Sequence, residues 1–278
     1  MAILFGLLAA LAYGASDFAA GVIGRRLGAG VVALAVHLLA LLVAIASVAL
    51  GASHGPTTQA LAWGVAAGVG SATGTLALYR GFVVGRISVV APLSAVVAAA
   101  VPVLTGLALG EHLSVLAGVG LVVAMPAIGL VSWQRDRSQT ASARPGVAEG
   151  LVSGAGFALL FIALDRAGAD AGFWPLVPGM ALGSLLVLPF ALKEPRPGGI
   201  NGTAIGLLVA AGLFGGGANL LFLAATGRGQ LSIVVVLTAL YPAVTILLAR
   251  VFLGEQWNNA QAAGLVAAAI AIVLITLG

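Results

Sequence analysis

Cysteine is absent from the 278 residues, which removes disulfides, thiolate metal sites, cysteine nucleophiles and cysteine lipidation together. Charge is nearly absent as well. The 12 Lys+Arg and 8 Asp+Glu make 7% of the chain, where a water-soluble domain of this size carries about 25%. A soluble enzyme or soluble binding domain is thereby excluded. Aromatic residues reach only 6%, and the basic residues behind the formal net charge of +4 are scattered, too sparse for a nucleic-acid interface. What is present is apolar: 61% of residues are hydrophobic and the mean hydropathy is +1.18. The sequence is that of an integral membrane protein whose partner is the lipid bilayer.

Apolar stretches of helix length, each near the 20 residues a span requires, run at about 2–23, 31–50, 61–83, 87–109, 114–132, 147–165, 173–192, 203–226, 231–253 and 260–277. The alternation of a lipid-facing barrel is missing, so the predicted class is an all-α integral membrane protein with ten transmembrane helices. The first stretch follows a terminus without Lys or Arg and reads as a retained span rather than a secretory signal. The longest polar break, QRDRSQTASARPG at 134–146, separates a five-helix unit at 1–133 from another at 147–278.

Shifting the chain by 144 residues aligns these units without a gap. Between Gly85 and Glu111, ten of 27 positions are identical to their counterparts, among them Gly85/Gly229, Ser88/Ser232, Leu93/Leu237, Gly110/Gly254 and Glu111/Glu255; the composition alone gives about 3. Because each unit has an odd number of spans, the second enters the membrane in the opposite sense. The expected architecture is two inverted five-helix repeats, an arrangement in which transporters set their substrate site at the repeat interface near the midplane.

The two "LGE" span ends, VVAPLSAVVAAAVPVL at 89–104, SIVVVLTALYPAVTILLA at 232–249 and YGASDF at 13–18 resemble the EamA-type exporters of the drug/metabolite transporter superfamily. The resemblance implies secondary transport, often outward and without ATP, of small metabolites, amino acids or drug-like solutes. It implies no cofactor and no metal.

Asp17 is the sharpest single residue. A charge within a span costs about 2.5–3.5 kcal/mol on insertion scales, and Gly6, Ala10, Tyr13, Gly14, Asp17 and Gly21 form a small or polar stripe opposite Leu4, Leu8 and Leu11. Asp17 is expected to face protein and to carry a coupling proton, with His37 in the second span as the next candidate. The alternative is a structural carboxylate near the interface, paired with Arg25, Arg26 or a helix end. Substrate-cavity candidates come from the third and eighth spans, Ser71, Thr75, Tyr79, Gly215, Gly216 and Asn219, and from Tyr13, Thr238 and Tyr241. Consecutive glycines let a ligand approach the backbone, and Pro242 and Pro102 are expected to interrupt the ninth and fourth spans. Phe157 and Trp174 are further aromatic wall candidates, although Trp133, Trp174 and Trp257 read better as interfacial anchors. Glu111 and Glu255 read as caps in tight helical hairpins, and Asp165 with Arg166 as a local ion pair.

Loops after odd-numbered spans hold ten Lys or Arg and those after even-numbered spans two, Arg166 and Arg228. This places both termini outside the cell (plasma or inner) membrane, whereas EamA-type relatives are drawn with both inside. A rival class, an intramembrane enzyme acting on lipid-linked substrates, lacks HExxH, GxSxG and any cluster able to supply acid, base and nucleophile. A passive channel lacks charged rings and a carbonyl filter.

Overall fold

The computed structural model describes residues 1–51, 55–84, 87–132, 146–194, 201–254 and 258–278. The side chains of residues 25, 79, 82–84, 87–89, 91, 92 and 169 also lie outside the description. Every regular element described is helical: α1 (Ala2–Leu27), α2 (Ala29–Leu50), α3 (Thr58–Val84), α4 (Ile87–Ala108), α5 (Val115–Ser132), α6 (Val147–Arg166), α7 (Leu176–Lys193), α8 (Gly202–Thr226), α9 (Leu231–Thr238), α10 (Tyr241–Leu253) and α11 (Asn259–Leu277), with one 3-10 turn at Ala169–Ala171. Eight helical segments among the described residues are long and apolar enough to cross a membrane, α9 and α10 counting as one; Leu93–Ala108 and Val115–Val131 are shorter apolar segments.

The chain marks its own helix ends. Asn201 accepts from the Ala204 amide at 2.9 Å, and Asn258 and Gln261 form a capping box at the start of α11. Between α1 and α2 the connection is Gly28 alone, at φ 86°, a conformation that side chains with a Cβ avoid. The predicted ninth span is two helices, α9 and α10, separated at Ala239 and Leu240. Pro242 explains the break, because it has no N–H to give to the Thr238 carbonyl four residues back. The fourth span corrects the expectation: α4 continues through Pro102 without interruption.

Small residues set the packing. A Cβ on Gly156 would lie 2.5 Å from the Gly74 backbone nitrogen, so α3 and α6 touch main chain to main chain. The packed pairs also exchange under the 144-residue shift. Helix α3 lies on α6 as α8 lies on α1, α2 on α8 as α7 on α3, and α4 on α6 as α9 and α10 on α1. Local contacts repeat the rule. Gly6 packs on Val234 and Leu237, and Gly150 packs on their counterparts Val90 and Leu93.

Candidate functional site

The site begins with the two faces of α1. Leu4, Leu8 and Leu11 are 52%, 37% and 52% exposed and form its outward side. Tyr13, Ser16, Asp17 and Ala20 turn the other way and line a cavity of about 130 Å³ at mid-bundle, bounded by α1, α2, α3, α4, α6, α7, α8 and the α9/α10 break. That volume holds far more than one water. Asp17 is exposed although it lies opposite the outward leucines, so its exposure is to this interior space. One and two turns on along α1, a Cβ on Gly21 or Gly24 would meet nothing within 4 Å among the described residues. Toward the other end of α1 the packing closes: Gly6 rests on α9, and Phe222 and Thr238 are fully buried.

Hydrogen bonds fix the polar lining. Tyr13 donates to Asn219 Oδ1 at 2.8 Å, and Asn219 Nδ2 donates to the Gly215 carbonyl at 3.0 Å. Ser16 donates to the Ala211 carbonyl at 2.8 Å, tying α1 to α8. His37 Nδ1 donates to the Ala33 carbonyl at 2.9 Å, which can only accept; in the neutral ring Nε2 then accepts from Ser71 Oγ at 3.0 Å. Asp17 has no hydrogen bond or ion pair among the described residues. The Tyr13 ring stands 6.3 Å from Phe161 and 6.2 Å from Tyr241, within the range of aromatic contact.

Both halves contribute equivalent positions. Under the 144-residue shift Tyr13 corresponds to Phe157, Ser16 to Leu160, Asp17 to Phe161, Val36 to Met180, Ser71 to Gly215 and Thr75 to Asn219, and both members of every pair line the cavity.

Residues 144–277 match the model described as the EamA-like transporter family. That stretch is just under half of the chain. The match and the apolar helices support a multi-pass membrane transporter of EamA type in the drug/metabolite transporter superfamily. Its fold is similar to that of a protein solved by crystallography, with a TM-score of 0.76 and 19% sequence identity over 99% of this chain and 96% of that one. At that identity the likeness concerns the fold alone. No curated protein matches.

The cavity brings together Tyr13, Asp17, His37, Ser71, Thr75, Gly215, Asn219 and Tyr241 from the sequence-derived candidates. Two others are corrected. Gly216 faces α2, where a Cβ would lie 3.0 Å from Ala40 Cα and 2.9 Å from Val43 Cβ, so it is a helix-packing glycine. Thr238 is fully buried between helices, its hydroxyl 3.5 Å from the Gly6 carbonyl. The Tyr79 side chain, Trp133, Glu255 and Trp257 lie outside the described residues. Glu111 is a cap, but not of its own hairpin: its carboxylate accepts from the Leu231 and Ser232 amides at 2.6 and 3.0 Å, across to the start of α9. Asp165 and Arg166 pair at 3.5 Å as expected.

Sequence reasoning missed Ser16, Phe161 and Glu194. Phe161 was reachable, because the repeat register sets it opposite Asp17. Glu194 receives the Gly30 and Val31 amides at 2.8 and 3.1 Å and caps α2 from the end of α7. Nothing in the chain order connects residues so far apart.

Proposed function

We propose that the chain is a proton-coupled secondary active transporter, an exporter of small amphipathic metabolites, amino acids or drug-like solutes, working by alternating access. Its ten spans form a first repeat at 1–133, a linker at 134–146 and a second, inverted repeat at 147–278, with both termini outside. The observation that carries this reading is the mid-bundle cavity lined by equivalent positions from both halves. A site shared between two mirrored halves can be opened to either side by rocking one half on the other. Asp17 is the proposed proton carrier, in a cavity it shares with His37, Tyr13 and Tyr241. A group that is anionic in one state and neutral in another gives the two access states different affinities, which is what coupling requires.

The test is transport by the purified chain in proteoliposomes. Exchange of labelled solute and accumulation driven by a pH gradient, both absent from protein-free vesicles, are the expected results. Chemical change of the solute, or no flux of any solute tried, overturns the reading. For orientation, a C-terminal reporter active only in the cytoplasm is expected to stay silent.

A further inference from the structure

We infer that a groove on the side of the bundle is a binding site for one phosphatidylethanolamine molecule, with its phosphate on Arg80, its ammonium on Glu149 and an acyl chain along the groove wall. The groove lies between α2, α3, α6 and α7, has a volume of about 670 Å³ and shares no lining residue with the mid-bundle cavity. That volume falls in the range of about 300–1,000 Å³ usual for ligand sites. Its polar and apolar parts are ordered by depth. Arg80 stands two residues past the apolar span of α3, which ends at Leu78; Glu149 is the third residue of α6, and Glu194 directly follows α7. The three charges therefore sit at headgroup level. Deeper come Leu76, Val152 and Phe190, the last two 49% and 51% exposed on spanning helices, at the level of acyl chains. Thr73, about two turns before Arg80, is the remaining polar side chain of the wall.

The repeat does not reproduce these side chains in the other leaflet. Under the 144-residue shift Ala29 and Gly30 correspond to Phe173 and Trp174, Ala148 to Leu4, Arg80 to Ala224, Glu149 to Phe5 and Glu194 to Leu50. Small residues give way to bulky ones, and each charge to an apolar side chain. The groove is thus a property of one leaflet and not a by-product of the packing both halves share. Its charges also choose among headgroups. Arg80 Nε is 3.9 Å from Glu149 Oε1, and the Arg80 side chain is 76% exposed. That is beyond hydrogen-bond distance, and so loose an exposed pair contributes little, so both groups can turn to a ligand at small cost. Glu194 is committed, both its oxygens accepting α2 amides. One guanidinium beside two carboxylates suits a zwitterion better than a headgroup of net negative charge. A primary ammonium donates to a carboxylate, which the trimethylammonium of a choline headgroup has no N–H to do.

Native mass spectrometry of the detergent-solubilised full chain tests this with palmitoyl-oleoyl phosphatidylethanolamine, phosphatidylcholine and phosphatidylglycerol, and with chain-free glycerophosphoethanolamine. The expected result is one saturable site for phosphatidylethanolamine, at least about tenfold tighter than for the other three probes. Arg80→Ala, which copies Ala224 of the other half, is expected to weaken that binding at least about tenfold. Glu149→Gln is expected to bring phosphatidylethanolamine and phosphatidylglycerol within about threefold of each other. The wild-type comparison stands without the variants, should either fold poorly. Equal retention of the three lipids means annular lipid only and overturns the site. Tighter binding of phosphatidylglycerol or phosphatidylcholine overturns the choice of headgroup, and glycerophosphoethanolamine binding as tightly as the lipid overturns the acyl-chain part. Unchanged binding in Arg80→Ala, or an undiminished preference in Glu149→Gln, overturns the placement. All of these outcomes leave the transporter reading standing, because groove and cavity have no residue in common.

Discussion

The two halves present matched backbones and unmatched side chains to one cavity. Where the first half has Asp17, the second has Phe161; where the first has Thr75, the second has Asn219; where the first has Tyr13, the second has Phe157. Packing needs only small residues at matched depths, so the repeat can hold its architecture while its lining diverges. Chemistry has no such tolerance. One carboxylate suffices to carry a charge through a bilayer, and a second at position 161 would add a like charge to the same cavity. The first half thus contributes the ionisable groups, Asp17 and His37, and the second contributes Phe161 and the amide that fixes Tyr13.

Breaking this asymmetry at its strongest point means changing position 17. Asp17→Asn keeps size and hydrogen bonding but cannot titrate, and it is expected to reduce pH-gradient-driven accumulation to the level of empty vesicles while exchange stays within about threefold of wild type. Phe161→Leu, at the matching position, is expected to leave coupling intact. An Asn variant that still concentrates solute moves the proton elsewhere, with His37 the next group to test.

The next pair sharpens the comparison. Asn219→Leu removes the acceptor of the Tyr13 hydroxyl and fills the cavity, so transport is expected to fall by about tenfold or more at near-normal expression. Thr75→Val at the matching position is expected to cost less than about threefold. Similar losses from both would mean that the halves share the polar work equally.

Gly216→Leu separates lining from packing. It faces Ala40 and Val43 rather than the cavity, so overpacking of about 1–3 kcal/mol is expected to appear as reduced folded yield. Transport per folded molecule should survive. Smaller still is the cost of Glu111→Gln, which weakens a charged cap on α9 and is expected to lower stability by about 1 kcal/mol in thermal unfolding. Leu8→Ala, on the outward side of α1, is expected to stay within about 0.5 kcal/mol.

Legibility in the sequence followed the range of the interaction. The stripe carrying Tyr13 and Asp17 could be read because a single helix places residues three and four apart on one face. The repeat register carried the same information to positions 71, 75, 215 and 219. Gly216 was misassigned because consecutive glycines point in different directions around a helix, and only the neighbour decides which of them meets a cavity. His37 had no acid near it in the chain. It shares a cavity with Asp17 because α2 and α1 both pack on α8.

Composition and periodicity by themselves determined that the chain is a helical membrane protein, where its helices run, that its halves correspond and that Asp17 turns inward. These depend on transfer of side chains from water and on backbone hydrogen bonding within one segment, both local quantities. Only the tertiary structure decided which polar residues converge, that Glu111 caps α9 and Glu194 caps α2, and that Asp17 shares its cavity with aromatic rings and has no cationic partner among the described residues. Those outcomes depend on how helices distant in sequence cross, which small-residue packing permits in several ways and the assembled bundle resolves into one.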